Sequence, residues 1–167
     1  MQQRTIGSDC RFRDGGRDWL ATWHEAAEAP AGHPHGSAAA CITAQGDIVL
    51  VSADGGRKWQ FPGGHPEGHE DWRATMEREV LEEACACVDD AILLGFTRLQ
   101  CEGGVDEGVV LVRSLWQADV TLLPWRPRHE MTHRRLVGHD AALDYLSHPP
   151  GVAPLYAEWL RRALGQP

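Results

Sequence analysis

From Glu70 to Ala84 the chain runs without glycine or proline through strong helix formers, and this stretch constrains the fold more than any other. Acidic residues are expected in its first turn, where the macrodipole favours them. On a helix turning about 100° per residue, Glu79, Glu82 and Glu83 fall within an arc of roughly 100° and share one face. That arc adjoins the stripe Trp72, Met76 and Val80, so the carboxylates belong at the rim of a core. Like charges at these spacings cost a helix roughly a few tenths of a kcal/mol per pair. Hard divalent cations, held by carboxylate oxygens and bridging readily to phosphates, would give the cluster a use. Taken alone, however, a Glu-rich heptad is most often a solvated surface face.

The flanking segments place this helix inside a layered fold. Residues 17–28 put Leu20, Trp23 and Ala27 at helical spacing after an Asp/Gly-rich start, which predicts a short amphipathic helix. His33-Pro34-His35 reads as a flexible turn. Two β-prone runs around Gln45-Gly46 predict a hairpin, followed by a turn at Asp54-Gly55-Gly56 and by Trp59-Gln60-Phe61-Pro62. Beyond the helix, two strand-like runs are joined by the Gly-rich segment Glu102 to Gly108. Residues 140–146 and 153–164 read as helices interrupted by Pro149-Pro150-Gly151. This order predicts an α/β (α+β) sandwich of layers. At 167 residues one domain is expected, with 1–36 as an N-terminal extension carrying the short helix and 37–167 as the core.

Composition mainly excludes. With 43% apolar and 24% charged residues the chain is neither disordered nor fibrous. A formal charge of −8 argues against long nucleic acid, whose binding needs clustered Lys and Arg. No stretch approaches a membrane span, and the polar start from Met1 to Gly16 lacks the apolar block of a secretion signal, so a cytoplasmic protein without membrane contact is expected. The cysteines Cys10, Cys41, Cys85, Cys87 and Cys101 show no C-x-x-C pair, which fits reduced thiols better than disulfides or zinc. His65 and His69 are four apart but lie across Pro66 and Gly68, in a loop, where ordinary polarity outweighs metal ligation. Homodimerisation stays open.

The wider spacing separates the readings of the helix. Gly64, five residues, Glu70, seven residues, then Arg78-Glu79-Val80-x-Glu82-Glu83 resembles the Nudix signature G-x5-E-x7-R-E-U-x-E-E-x-G-U, in which U is a bulky aliphatic residue. A chance match to its fixed positions has odds on the order of one in 10⁵. One position departs. Cys85 stands where the signature has a glycine, which normally ends the helix in a left-handed conformation costing other residues about 1–2 kcal/mol.

The resemblance implies a Nudix-like α/β/α sandwich with a mixed central sheet. It also implies a hydrolase that uses Mg²⁺ or Mn²⁺ to cut a phosphoanhydride bond in a small nucleotide substrate. By it, Glu79 and Glu83 are principal metal ligands, Glu82 a further one, and the Gly64 carbonyl a backbone ligand, while Arg78 braces the site through Glu70. Glu79 is the first choice for the general base and Glu83 the second. Among residues 124–131, where the resemblance places an added acidic ligand, Glu130 is the lone carboxylate; Glu102, Asp106 and Glu107 compete with it. Arg57 and Lys58 are candidates to reach a phosphate, against a solvated pair. Trp59, Trp116 and Trp125 read first as core, with Trp59 also a candidate to stack on a base. The rival is a catalytically weak module of the same fold that binds a nucleotide or a protein partner; a zinc regulator is a third class, recognisable by bound zinc.

Overall fold

Alternation along two adjacent strands shows why this chain forms layers. In β3 (His33–Thr43), Ala38 and Ala40 pack on one side of the sheet while Ala39 and Cys41 pack on the other. In β4 (Ile48–Ser52), Ile48 and Leu50 oppose Val49 and Val51 in the same way. Because successive side chains point to opposite faces, a strand apolar at every position must be covered on both sides. Gly46, with φ of 85°, turns β3 into β4 as the hairpin predicted.

The computed structural model describes residues 9–167. The remaining strands are β1 (Cys10–Asp14), β2 (Arg17–Glu25), the short β5 (Gly63–Gly64), β6 (Ala86–Gly103), β7 (Val110–Leu122) and β8 (His133–Val137). The helices are α1 (Trp72–Ala84), α2 (Ala142–Tyr145) and α3 (Ala153–Ala163). Strand order is β1-β2-β6-β7-β3-β4-β8, with β5 on β3, and the β3–β7 pair is parallel while the others are antiparallel. Met76, Val80 and Ala84 of α1 close one face against Ala39, Val49 and Trp116. Trp159 and Leu160 of α3 close the other against Ala38, Leu50 and Phe61. The result is the expected α/β/α sandwich with a mixed sheet.

Three expectations are corrected. Residues 17–28 do not form a helix, because Arg17–Glu25 is strand β2, paired along β6 from Asp18↔Gly103 to Glu25↔Gly95. Gly15 and Gly16, both at positive φ, make the two-residue turn of a β1–β2 hairpin closed by Asp14↔Arg17. Ala21 and Trp23 are buried on one side of that strand, so period two outweighs the local helical spacing. The segment before residue 37 therefore joins the sheet through both strands. His33-Pro34-His35 is no turn but the start of β3, with the proline at a register shift where its missing N–H is harmless. Finally, Glu70 and Asp71 precede α1, whose first turn holds no acid. Asp71 is the N-cap, its Oδ1 accepting from Ala74 N at 2.8 Å.

Candidate active site

Glycine brings the loop before α1 close enough to meet the helix. A Cβ on Gly63 would collide with Ala38, and one on Gly64 with the Glu79 carboxylate, so only bare backbone fits here. Gly63 N donates to Glu83 Oε2 at 2.9 Å, which fixes this carboxylate beneath the loop. Glu83 is 3% exposed and Glu79 is 9% exposed.

Arg78 ties the remaining acids together. Its Nε donates to Glu70 Oε1 at 2.8 Å and its Nη2 to Glu70 Oε2 at 3.1 Å, a bidentate fork. Nη2 also reaches the His65 carbonyl at 2.7 Å, while Nη1 reaches Glu79 at 3.0 Å and Glu82 at 3.3 Å. These bonds hold the Glu70 carboxyl down at about 2. Glu83 behaves oppositely. Burial first, and then the charges of Glu79, Glu130 and Glu82, push it up to about 8 against the pull of the Gly63 amide. Burial also raises Glu79, although Arg78 opposes the shift.

The donor set suits a hard cation: carboxylates whose shared charge the fold leaves partly uncompensated. As the side chains stand, no three His, Cys, Asp or Glu among the described residues converge on one metal position, and Arg78 Nη1 bonds both Glu79 and Glu82. Glu82 sits at the rim, its carboxylate 4.0 Å from His129 Nδ1. A cleft of about 490 Å³ opens there, lined by Leu81, Cys85, Arg126, Arg128 and His129 beside Glu82.

The other predicted site residues divide. Glu130 is exposed, and its charge reaches both Glu79 and Glu83. Glu102 and Asp106 are instead paired with Arg11 and Arg17 of the first hairpin. Arg57 and Lys58 are exposed, with both amides on Asp54 Oδ1, and Lys58 faces a separate cleft with Arg13, Asp14 and His148. Trp59 is core, 7% exposed and covered by the Arg135 guanidinium 5.0 Å from its ring centroid, so it has no free face for a base. No hydrogen bond or ion pair joins these three to the glutamates among the described residues. Trp116 is core as well, and Trp125 is partly buried beneath Arg134. Cys85 does adopt the left-handed conformation, φ 47° and ψ 55°, and caps α1. Arg134 Nη1 satisfies the carbonyls of Ala84 and Cys85 at 2.8 and 3.0 Å.

Sequence reasoning missed Arg113 and Tyr156. Both line a cavity of about 220 Å³ between the sheet and α3, bordered by Gly63. The signal was a lone arginine inside the apolar run of β7, in step with Leu115, which faces the α3 core.

Fold and site together describe an α/β/α sandwich carrying a glutamate-bearing helix behind a glycine loop. The chain matches the NUDIX domain family over residues 33–161, and it belongs to that family of hydrolases. No curated protein sequence matches it. Among solved structures it is similar to the Bacillus subtilis pyrophosphohydrolase BsRppH, at 20% identity and a TM-score of 0.65, over 92% of this chain and 96% of that one. A NUDIX hydrolase from Nitrosomonas europaea matches at 21% identity and a TM-score of 0.60, covering 78% and 90%. A MutT from work on Aliivibrio salmonicida and Vibrio cholerae matches at 18% and 0.55, covering 77% and 97%.

Proposed function

We propose that this chain is a Mg²⁺- or Mn²⁺-dependent pyrophosphohydrolase. Its substrate is a small cytoplasmic nucleotide, a nucleoside diphosphate linked to a second group or a nucleoside triphosphate, while the charge of −8 argues against long nucleic acid as a partner. The observation that carries this reading is the pair Glu79 and Glu83, two buried carboxylates held against the Gly63-Gly64 loop and both raised from their ordinary values. Burying repelling acids side by side destabilises a fold unless a cation joins them.

Glu79, Glu82, Glu83 and the Gly64 carbonyl are the groups to hold that cation, with Glu130 reaching in from outside the helix. Glu79 and Glu82 would release Arg78 Nη1 to do so, while the fork to Glu70 keeps the guanidinium in place. A divalent cation bound there would neutralise the diphosphate and make water a better nucleophile at neutral pH. Glu79 takes the proton of the attacking water, and Glu83 is the second choice. The Bacillus subtilis neighbour is a pyrophosphohydrolase, and the same bond type is assigned here.

The test is a panel of ADP-ribose, dinucleotide polyphosphates, sugar nucleotides and (deoxy)nucleoside triphosphates, assayed for phosphate products with Mg²⁺, with Mn²⁺ and with chelator. Metal-dependent turnover of at least one compound is expected. Nucleotide binding without any turnover would instead identify a non-catalytic binding module.

A further inference from the structure

The loop after β7 carries two cations that the fold leaves unpaired. Arg126 and Arg128 are exposed, and neither makes a hydrogen bond, ion pair or cation–π contact with the described residues. Arg11, Arg13 and Arg73, likewise exposed, each pair with an acid. In a chain with 24 Asp and Glu against 16 Lys and Arg, a partner is easily found. Two arginines side by side without one therefore point to an anion from outside.

The local sequence aims both at one place. Residues 123–128 lie outside helix and strand, and Pro124 and Pro127 restrict the backbone there. Trp125 packs against the α1 side of the core beneath the Arg134 guanidinium, 5.3 Å from its ring centroid. Arg134 Nη1 also donates to the Leu123 carbonyl at 3.0 Å, and Leu123 N donates to the Cys85 carbonyl at 2.8 Å, so the start of the loop is fastened to the end of α1. Met131, buried in the same core, fastens its far end. With Trp125 turned inward, Arg126 and Arg128 both line the cleft of about 490 Å³ beside α1, whose apolar part comes from Leu81, Cys85 and Leu123. Glu82 lines it too and shares Arg78 Nη1 with Glu79, so the cleft opens onto the glutamate cluster. The cavity under α3 shares no lining residue with it.

We propose that this cleft receives the phosphates on the far side of the bond that is cut, held by Arg126 and Arg128, so that the second group of the substrate is itself phosphorylated. The assignment rests on the hydrolase reading above and narrows it to nucleoside triphosphates and dinucleotide polyphosphates, because an uncharged sugar would leave the arginines unused. Each guanidinium fork matches phosphate oxygens better than an ammonium does. Two residues of extended chain set the pair roughly 6.5–7 Å apart at Cα, so a phosphate chain can give each its own group. The pair also offsets the repulsion that the glutamates exert on an incoming polyanion. The volume lies within the roughly 300–1,000 Å³ of small-molecule sites.

The test reads binding without turnover. Orthophosphate, pyrophosphate and tripolyphosphate are titrated by calorimetry in EDTA into the wild type, into Arg126→Met/Arg128→Met, and into Arg11→Met/Arg13→Met, which removes two charges elsewhere. Tripolyphosphate should bind the wild type and the Arg11→Met/Arg13→Met control alike, more tightly than orthophosphate does. Its affinity for Arg126→Met/Arg128→Met should fall at least tenfold at an unchanged melting temperature, and Arg126→Lys/Arg128→Lys should be intermediate. ATP should compete with tripolyphosphate, because its own phosphates occupy the same cleft. The proposal is overturned if tripolyphosphate does not bind the wild type, or if both Met double variants weaken it equally, which would show an effect of net charge alone. Failure of ATP to compete would make the cleft an anion site apart from the substrate, and a lower melting temperature in Arg126→Met/Arg128→Met would make the pair structural; either result also overturns it. A protein that hydrolyses nothing would still bind or fail to bind tripolyphosphate, so this proposal and the hydrolase reading fail separately.

Discussion

The carboxylate of Glu79 occupies the space where a side chain on Gly64 would begin. Loop and helix can meet only because that position has no Cβ, and the same contact sets the carboxylate against the backbone of the glycine turn. Gly64→Ala should therefore push Glu79 off the loop and lower kcat by about 10²-fold or more, as misplacing a catalytic group does. The fold, held by the sheet, should survive. Steady-state rates with circular dichroism on the same sample decide it: a fully active Gly64→Ala enzyme would show that the close approach has no role in catalysis.

The raised carboxyl of Glu83 predicts a linked dependence on pH and metal. Its folded value of about 8 lies above the ordinary 4.5, so its protonated form favours the folded state. That contribution is complete below about 4.5 and fades as pH rises through about 8. A cation requires the ionised form, so the increase in melting temperature produced by Mg²⁺ should be larger near about pH 8.5 than near about pH 6. Glu83→Gln should flatten both trends. Equal Mg²⁺ shifts at the two pH values would detach Glu83 from metal binding.

Cys85 is the only non-glycine residue at positive φ among the described residues. Replacing it with glycine removes a left-handed strain of about 1–2 kcal/mol and gives back roughly 0.5–1 kcal/mol in backbone entropy. Cys85→Gly should thus be more stable by about 0.5–1 kcal/mol, while the β-branched Cys85→Val should lose at least about 1 kcal/mol. Urea unfolding measures both. A Cys85→Gly protein weaker than wild type would mean that the packing of the buried thiol outweighs the strain.

What was legible in the sequence follows from how local the cause was. Helix α1, the β3–β4 hairpin and the glutamate face all arise from spacings within a few residues, and so does the signature that spans Gly64 to Glu83. Strand β2 was missed because its pairing with β6 joins residues far apart, and that pairing overrode a local helical pattern in Leu20, Trp23 and Ala27. The turn Asp14-Gly15-Gly16-Arg17 carried the correct signal, a glycine pair suited to a tight hairpin. Trp59 reads first as core from its sequence, and the structure buries it in the core beneath α3. Arg113 and Tyr156 meet only once β7 and α3 have packed, so no short pattern announces them.

Glu130 and Glu107 are discriminated by the field each exerts. Glu130 raises the carboxyls of Glu79 and Glu83, whereas Glu107 is not among the charges acting on either. Glu130→Gln should lower kcat at least about tenfold, the scale of one lost ligand or base contact, with unchanged thermal stability, and Glu107→Gln should leave kcat as it is. Greater damage from Glu107→Gln would reverse the assignment.

The central claim is that Glu79 and Glu83 perform metal-assisted hydrolysis. Its most direct test is kcat of Glu79→Gln and Glu83→Gln at saturating Mn²⁺ on whichever substrate the wild type turns over. Each substitution keeps the shape and removes one buried, repelling charge, so a drop of about 10² to 10⁴ in kcat is predicted with melting temperature unchanged or raised. A loss of less than about tenfold in both variants, far below the effect of removing a general base, would contradict the account.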